Sequence, residues 1–140
     1  MISVVIPLYN KEKQIKRTLQ SVLTQTFQDF EIVIVNDGST DNSTIEVEKI
    51  KDSRIRLIHQ ENAGVSAARN KGIEEAKYEL IAFLDADDEW KNKYLEVQYD
   101  LYKKYPNVTF LLAITNLLMK NMIYRLQLSK NFHLKKMMEY

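Results

Sequence analysis

The chain has 140 residues, of which 45% are hydrophobic and 28% charged, a composition typical of a soluble globular protein. This length fits one domain that buries a sizeable core. The formal net charge of +1 gives no global field that would attract nucleic acid or acidic partners, and the lack of cysteine excludes disulfides and thiolate chemistry.

The N-terminal apolar run, residues 2–9, predicts a first strand rather than a signal peptide, because no basic residue precedes it and Pro7 interrupts it. The longest later apolar stretch, residues 108–119, is shorter than the about 20 residues that a membrane-spanning helix needs. We therefore expect a cytoplasmic protein.

Short apolar runs alternate with helical patterns along the chain. The strands are predicted at residues 2–9, 30–37, 54–60 and 80–86, and the helices at 11–26, 41–52, 64–77 and 89–105. Three of the runs are nearly continuously apolar, as in strands covered on both faces, whereas 54–60 alternates and is expected nearer an edge. The alternation predicts an α/β fold with a mostly parallel sheet flanked by helices.

Apolar residues at helical spacing mark the buried faces of two predicted helices. These faces comprise Ile15, Leu19, Val22 and Leu23 in the first helix, and Val65, Ala68, Gly72, Ile73 and Ala76 in the third. Ser43 and Glu46 have the spacing of a capping box at the start of the second helix. Trp90 is expected to anchor the fourth helix in the core rather than to serve as a substrate platform.

Ligands of parallel α/β sheets bind beyond the carboxyl ends of the strands, so the polar residues that follow each predicted strand share one rim. The first loop contains neither G-x-G-x-x-G nor G-x-x-x-x-G-K, which argues against a dinucleotide site and a P-loop. A divalent cation on acidic side chains would then have to hold any bound phosphate. The rim residues are Pro7, Tyr9, Asn10, Asn36, Asp37, Gly38, Ser39, Glu61, Asn62, Gly64, Asp85, Asp87 and Asp88.

The segment FLDADDEW places several carboxylates after the fourth strand. Hard cations such as Mg²⁺ prefer one or two carboxylates together with substrate phosphate oxygens. If the strand persists through residue 87, Asp85 and Asp87 project from the same face and can approach one ion. The alternative is that Asp87 or Asp88 caps the next helix, with Glu89 in its first turn, which would leave Asp85 without a role.

Two further rim residues each allow two interpretations. Asp37, in NDGST, either forms an Asx turn in which Gly38 supplies a positive φ, or contacts a ribose hydroxyl or a base N–H. Arg69 either runs along the inner side of its helix to the rim or forms a surface ion pair. His59 and His133 have no partner at metal-ligand spacing.

Four segments, SVVIPLYN, SVLTQTFQDFEIVIVNDGSTD, ENAGVSAARNKG and FLDADDEW, occur in the order and spacing of one family. From residue 2 to about 107 the chain resembles the nucleotide-sugar-binding half of family 2 glycosyltransferases of the GT-A fold. The resemblance implies a Rossmann-like, GT-A type domain over residues 1–107.

The resemblance also implies roles for individual residues. Pro7, Tyr9 and Asp37 match positions that line the uridine pocket, and Arg69 matches an arginine that contacts the nucleotide. Asp85 and Asp87 match the D-x-D motif, in which the second Asp contacts Mn²⁺ or Mg²⁺ bridging the diphosphate. Asp88 adjoins this motif and is included with the metal ligands.

The implied reaction is inverting transfer of a sugar from a nucleoside diphosphate donor, expected to be a UDP-sugar, to a hydroxyl of a carbohydrate or lipid-linked acceptor. In the family the general base lies well beyond the D-x-D motif. Here the sole acidic residue after Asp100 is Glu139, so no catalytic residue is assigned. The alternative is a noncatalytic or truncated nucleotide-sugar-binding module. Haloacid-dehalogenase-type phosphoryl chemistry is disfavoured, because Glu89 stands where that motif has a hydroxyl.

Residues 108–140 do not resemble the second half of the family, which predicts a C-terminally truncated fold. Residues 108–114 are expected to form a strand, and Met119, Met122, Ile123 and Leu126 have helical spacing. We expect this basic segment to pack on the same domain. The alternatives are a basic amphipathic helix on a membrane surface, which would make the protein peripheral to the cytoplasmic membrane, or one that covers an exposed edge in a homodimer.

Overall fold

The computed structural model describes residues 1–104 and two short strands further along the chain, Phe110–Leu111 and Arg125–Leu126. Strands and helices alternate through residues 1–104, as predicted. They are β1 (Ile2–Leu8), α1 (Ile15–Leu23), β2 (Phe30–Asp37), α2 (Ser43–Glu48), β3 (Ile55–Gln60), α3 (Val65–Glu75), β4 (Leu80–Phe83) and α4 (Tyr94–Lys104).

The four strands of residues 1–104 form one parallel sheet in the order β3-β2-β1-β4. β1 and β2 are buried along their whole length, which explains their continuously apolar sequences. β3, whose sequence alternates, lies at one edge of this sheet, as predicted. The predicted parallel α/β fold is therefore confirmed.

Alternate residues of the strands pack on opposite faces of the sheet, as the period of two requires. On one face, Val4, Ile6 and Ile34 join Leu19 of α1 and Leu95 of α4 in a fully buried cluster. On the other face, Val5, Val33 and Val35 pack against Ala68 of α3. Full burial of one such Val, Leu or Ile contributes about 1.5–3 kcal/mol, so these two layers hold the helices against the sheet.

α3 lies unusually close to β1 at Gly72. A Cβ atom built on Gly72 would lie 2.2 Å from Cγ1 of Val5, so only glycine fits at this crossing. The predicted buried face of α3 is correct at Ala68, Gly72 and Ala76, but Val65 at the first turn is half exposed. Contact with the sheet therefore begins one turn into the helix.

A buried polar network ties the end of α3 to the amino ends of the strands. Glu31 of β2 accepts hydrogen bonds from the hydroxyl of Ser3 at 2.7 Å and from the backbone N–H of Lys77 at 2.6 Å. Arg56 of β3 pairs with both Glu31 and Glu75, at 3.3 and 3.1 Å. Together with the Gly72 crossing, these bonds fix α3 at its middle and at its carboxyl end.

The fourth helix starts later than predicted. The sequence predicted a helix over residues 89–105, but α4 begins at Tyr94. Trp90 is buried, as expected, and its ring stacks on that of Tyr94 with 4.3 Å between centroids. Because the helix begins six residues after Asp88, the interpretation of Asp87 or Asp88 as its cap is wrong.

The second helix also starts differently. Ser43 lies inside the first turn of α2, and Asn42 at the N-cap position makes no side-chain cap hydrogen bond. The side chain of Asp41 accepts a hydrogen bond from the backbone N–H of Ser43 at 2.9 Å. The hydroxyl oxygen of Ser43 instead accepts a hydrogen bond from the backbone N–H of Lys11 at 2.7 Å. The predicted capping box is therefore not formed, and Ser43 joins α2 to the loop after β1.

The two short strands β5 (Phe110–Leu111) and β6 (Arg125–Leu126) pair antiparallel with each other. Leu126 thus lies in a strand, where its spacing predicted a helix. The rest of the predicted segment, over residues 108–140, lies outside the described residues, so its packing on the domain stays a prediction. Within the described part of the chain, no helix is long and apolar enough to span a membrane.

Candidate functional site

The carboxyl ends of the four parallel strands lie at one edge of the sheet, and the polar residues predicted for the rim follow them there. Hydrogen bonds connect the loops from different strands. The backbone N–H of Asn10 donates to Oγ of Ser39 at 3.1 Å, and Oδ1 of Asn10 accepts from the N–H of Thr40 at 2.8 Å. The loops after β1 and β2 are therefore held together.

Two of the predicted pocket residues lie at the end of β1 and at the start of the loop that follows it. Pro7 is buried in β1 beside Val35 of β2. Tyr9 directly follows the strand and is 47% exposed. Asn10, with φ of 51°, then turns the chain towards α1 in a conformation that asparagine tolerates better than most residues. Tyr9 is thus available at the rim, whereas Pro7 is buried within the sheet.

Asp37 is buried at the end of β2, with 4% of its surface exposed. Its Oδ1 accepts hydrogen bonds from Gln60 Nε2 at 2.7 Å and from the N–H of Ala63 at 2.9 Å, and its Oδ2 accepts from the N–H of Gly64 at 2.9 Å. Burial alone would raise the pKa of Asp37, but these hydrogen bonds outweigh it and lower the pKa below the ordinary value. The carboxylate is therefore ionised, and it fixes the loop before α3.

The side-chain hydrogen bond that shapes the turn after β2 comes from Asn36, the residue before Asp37, and not from Asp37 itself. Oδ1 of Asn36 accepts a hydrogen bond from the N–H of Ser39 at 3.0 Å, while Gly38 has the predicted positive φ, 71°. Nδ2 of Asn36 also lies 3.2 Å from Nδ1 of His59. The Asx-turn interpretation is therefore wrong for Asp37.

Residues 85–88, which we call the acid turn, follow β4. The strand ends at Phe83, and the N–H of Asp88 donates to the carbonyl oxygen of Asp85 at 3.0 Å to close the turn. The strand does not persist through residue 87, so the argument that strand geometry places Asp85 and Asp87 on one face is wrong. A turn, and not a strand, determines where the carboxylates lie.

Side chains of helix α1 form hydrogen bonds with the backbone of the acid turn and of Trp90. The hydroxyl of Thr18 donates to the carbonyl oxygen of Ala86 at 2.9 Å, and Nη2 of Arg17 donates to that of Asp87 at 3.1 Å. Ser21 Oγ accepts from the N–H of Trp90 at 3.1 Å. Since one face of α1 is buried in the core, these bonds anchor the turn to the core.

Asp85 forms an ion pair with Arg69 of α3, with 2.7 Å between Oδ1 and Nη2. The guanidinium of Arg69 therefore reaches the rim and forms an ion pair there, while its contact with a nucleotide stays a prediction. The Nε atom of Arg69 is buried and has no hydrogen-bond partner among the described residues. This contact joins α3 to the acid turn.

Asp87 forms an ion pair with Lys11 of the first loop, with 2.7 Å between Oδ2 and Nζ. The hydrogen bond from this ammonium lowers the pKa of Asp87 and outweighs the opposing effect of burial. Glu89, next to the turn, pairs with Arg17 at 3.3 Å. Asp85, Asp87 and Glu89 therefore each pair with a basic residue from another element. Their partners are Arg69 of α3, Lys11 of the first loop and Arg17 of α1.

The donor set of the acid turn fits a metal ion only in part. Within the described part of the chain, no group of three or more His, Cys, Asp or Glu side chains could hold a metal ion. The side chains of Asp85 and Asp87 are 48% and 44% exposed, and Asp88 is partly exposed. Exposed carboxylates combined with phosphate oxygens of a ligand are the donors that Mg²⁺ takes. Two partly exposed carboxylates could hold such an ion only together with phosphate oxygens of a ligand.

Sequence reasoning missed Lys11, Arg17 and Thr18. Lys11 and Asp87 are 76 positions apart, and Thr18 and Ala86 are 68 apart, so no local spacing connects them. The one available signal was Thr18 itself, a hydroxyl residue between the apolar positions Ile15 and Leu19 of an amphipathic helix. A buried hydroxyl needs a hydrogen-bond partner, which Ala86 supplies.

The family comparison assigns a class to the chain that carries this fold and the polar rim with Asp37, Arg69 and the acid turn. The family model described as "Glycosyl transferase family 2" matches residues 3–139. The chain therefore belongs to glycosyl transferase family 2. The match extends beyond residue 107, where the resemblance in sequence motifs had ended.

Curated relatives and solved structures agree with this assignment. The uncharacterized glycosyltransferase YibD of Escherichia coli is 50% identical over 91 residues, covering 63% of this chain and 26% of its own length. The Escherichia coli protein named UDP-Glc:alpha-D-GlcNAc-diphosphoundecaprenol beta-1,3-glucosyltransferase WfgD is 36% identical over 124 residues, covering 88% of this chain and 49% of its own. The chain thus spans about a quarter to a half of these relatives.

Among solved structures, Staphylococcus aureus TarS in complex with UDP-GlcNAc is similar to this chain with a TM-score of 0.73 and 26% identity. The similarity covers 86% of this chain and 37% of that one. Similarity to this structure supports the GT-A fold that the sequence motifs implied. The predicted family and fold class are both confirmed.

Proposed function

We propose that this chain binds a nucleoside diphosphate sugar, with UDP as its nucleotide, at the rim of the parallel sheet, for inverting transfer of the sugar to an acceptor hydroxyl. Membership of glycosyl transferase family 2 supports the reaction class. TarS, solved with UDP and with UDP-GlcNAc, supports the donor class. The observation that carries the proposal in this chain is the contact between Arg69 and Asp85, which joins two of the implied site residues.

We assign the nucleotide to the part of the rim formed by Pro7, Tyr9, Asp37 and Arg69. The exposed ring of Tyr9 offers a face on which a base can stack. Asp37 holds the loop that leads into α3 and leaves lone-pair capacity on Oδ2, which accepts one hydrogen bond among the described residues. The buried Nε of Arg69 supplies a donor that still needs an acceptor.

We assign a divalent cation, Mn²⁺ or Mg²⁺, to Asp87 and Asp85, with Asp88 adjoining. When bound, such an ion neutralises the charge that grows on the leaving diphosphate. The protein's own part is to supply partly exposed carboxylates on a turn that Thr18 of α1 anchors, with the pKa of Asp87 lowered chiefly by its hydrogen bond from Lys11. Hydrogen bonds fix the backbone of the turn, whereas the side chains of Asp85 and Asp87 would exchange their basic partners when metal and donor bind.

Isothermal titration calorimetry of the chain with UDP tests the site. We expect binding in the presence of MnCl₂ that chelation with EDTA abolishes. Asp87→Asn and Asp85→Asn should each weaken binding about tenfold or more, which corresponds to about 1.4 kcal/mol or more. Asp29→Asn removes an equal charge at an exposed position at the amino end of β2 and should bind as the wild type does. Metal-independent binding, or wild-type affinity in Asp87→Asn, would contradict the assignment.

Turnover is a separate proposal from binding, because the chain spans only part of its relatives. Catalysis needs a base that takes the proton of the acceptor hydroxyl. Glu139, the sole acid after Asp100, lies outside the described residues. Release of UDP from UDP-glucose or UDP-GlcNAc, measured with Mn²⁺ over a panel of sugar and lipid-linked acceptors, tests transfer. Donor binding without release would favour the alternative of a noncatalytic nucleotide-sugar-binding module.

A further inference from the structure

Lys11 has a fixed backbone and an extended side chain at the rim. Its N–H donates to Oγ of Ser43 at 2.7 Å, and its carbonyl oxygen accepts from the N–H groups of Gln14 and Ile15 at 3.0 and 2.9 Å. Its side chain, 37% exposed, ends at Asp87. The lysine is thus anchored at its base, while four methylene groups let its ammonium move.

The contact between Lys11 and Asp87 competes with the metal proposed for the same carboxylate. An ammonium at 2.7 Å occupies a lone pair that a cation would use, and a divalent ion on Asp87 would repel the ammonium. Ion pairs between partly exposed side chains are weak, so a divalent ion can displace this one. The displaced ammonium would lie beside the bound diphosphate, and lysine is a common phosphate-binding residue.

We propose that Lys11 neutralises Asp87 before the metal binds and then contacts the diphosphate of the donor. This inference rests on the proposed function, since it requires a metal on Asp87 and a diphosphate at the rim. It adds to that function a binding residue from the first loop. In this exchange the divalent ion replaces Lys11 as the cation on Asp87. The ammonium of Lys11 then pairs with a phosphate, so it moves from one anion to another.

The exchange predicts effects of opposite sign in the variant Lys11→Met, measured by calorimetry on the full chain. The affinity for Mn²⁺ alone should rise about two- to fivefold, because the competing ammonium is gone. The affinity for UDP at saturating Mn²⁺ should fall about three- to tenfold, because a charged contact to phosphate is lost. Lys11→Arg keeps a cation and should restore most of the UDP affinity.

Lys13→Met is the matched control. It removes the same charge two residues away, from a side chain that is exposed, so it reports the effect of net charge alone. We expect both affinities to stay within twofold of the wild type in Lys13→Met. Parallel losses of both affinities in Lys11→Met, an unchanged UDP affinity, or equal effects in the two variants would overturn the inference. The proposed function fails independently if Asp87→Asn leaves Mn²⁺ binding unchanged in the otherwise wild-type chain.

Discussion

Thr18 donates a hydrogen bond to the main-chain carbonyl oxygen of Ala86, the residue that lies between Asp85 and Asp87. The bond is 2.9 Å long, and both residues are buried. A side chain of the first helix therefore holds the centre of the acid turn from inside the core. The position of the two carboxylates depends on this bond as well as on their own ion pairs.

Removal of this hydroxyl should loosen the acid turn. Thr18→Val keeps the shape of the side chain but leaves the carbonyl of Ala86 buried without its donor, which should destabilise the chain by about 1–3 kcal/mol. Because the turn loses its support, Mn²⁺-dependent UDP affinity should fall as well. Urea unfolding and calorimetry measure the two effects.

Thr24→Val provides the control, since Thr24 at the end of the same helix donates to the carbonyl oxygen of Gln20 at 2.8 Å but is exposed. Its replacement should cost less than about 0.5 kcal/mol, as for most surface changes, and leave UDP affinity unchanged. Similar values for the two variants in both measurements would show that the buried bond does not position the turn.

A side chain at position 72 should strain the crossing of α3 over β1. In Gly72→Ala the new methyl group would lie 2.2 Å from Cγ1 of Val5, and such overpacking costs about 1–3 kcal/mol. Alanine's better helix propensity offsets about 1 kcal/mol of that cost. The outward shift of α3 should also carry Arg69 away from Asp85 and weaken UDP binding.

Asn70→Ala, at an exposed position of the same helix, should raise the free energy of unfolding by no more than about 0.7 kcal/mol, through helix propensity alone. In a double-mutant cycle, Val5→Ala should reduce the cost of Gly72→Ala, because it removes the atoms that the new methyl group meets. A net stabilisation by Gly72→Ala alone would mean that helix propensity, and not the close crossing, dominates at this position.

The parallel sheet could be predicted from the sequence, because strands buried on both faces, such as β1 and β2, must be apolar along nearly their whole length. Val4, Val5, Ile32 and Val33 have no exposed side, and such runs predict central parallel strands. Once the strands are parallel, their carboxyl ends must share an edge. The rim, with Asp37 and Asp85 on it, followed from topology without any knowledge of side-chain contacts.

The acid turn was not predictable from local pattern, because distant residues determine its path. Residues 89–93 have helical composition, yet Ser21 accepts the N–H of Trp90, and Gln25 donates to the carbonyl oxygen of Lys91 at 2.8 Å. These bonds and the burial of Trp90 compete with the hydrogen bonds of a helix. Tertiary contacts therefore delay α4 until Tyr94, which removes the capping role from Asp88.

The ionised form of Asp37 should make stability depend on pH. Its pKa is lowered from 3.8, because hydrogen bonds from Ala63, Gln60 and Gly64 outweigh the effect of burial. A carboxyl group whose pKa is lower in the folded state than in the unfolded state stabilises the fold when the pH lies above its unfolded-state pKa. This contribution is lost as the pH falls through the folded-state pKa. The contribution is therefore complete near neutral pH and disappears only in acid, below 3.8.

Asp37→Asn should remove this contribution, since an amide NH₂ cannot accept the hydrogen bond that one of the carboxylate oxygens accepts now. We expect a loss of about 1–3 kcal/mol at neutral pH, where the wild type is ionised. As pH falls below 3.8, the wild type becomes protonated and its advantage over the variant should shrink. Urea unfolding of both proteins from pH 7 down to the acid limit of folding gives the free energy of unfolding against pH for each.

Asp29→Asn controls for the lost charge at an exposed position. A difference in free energy of unfolding between Asp37→Asn and the wild type that stays constant with pH would mean that the charge of Asp37 does not stabilise its loop.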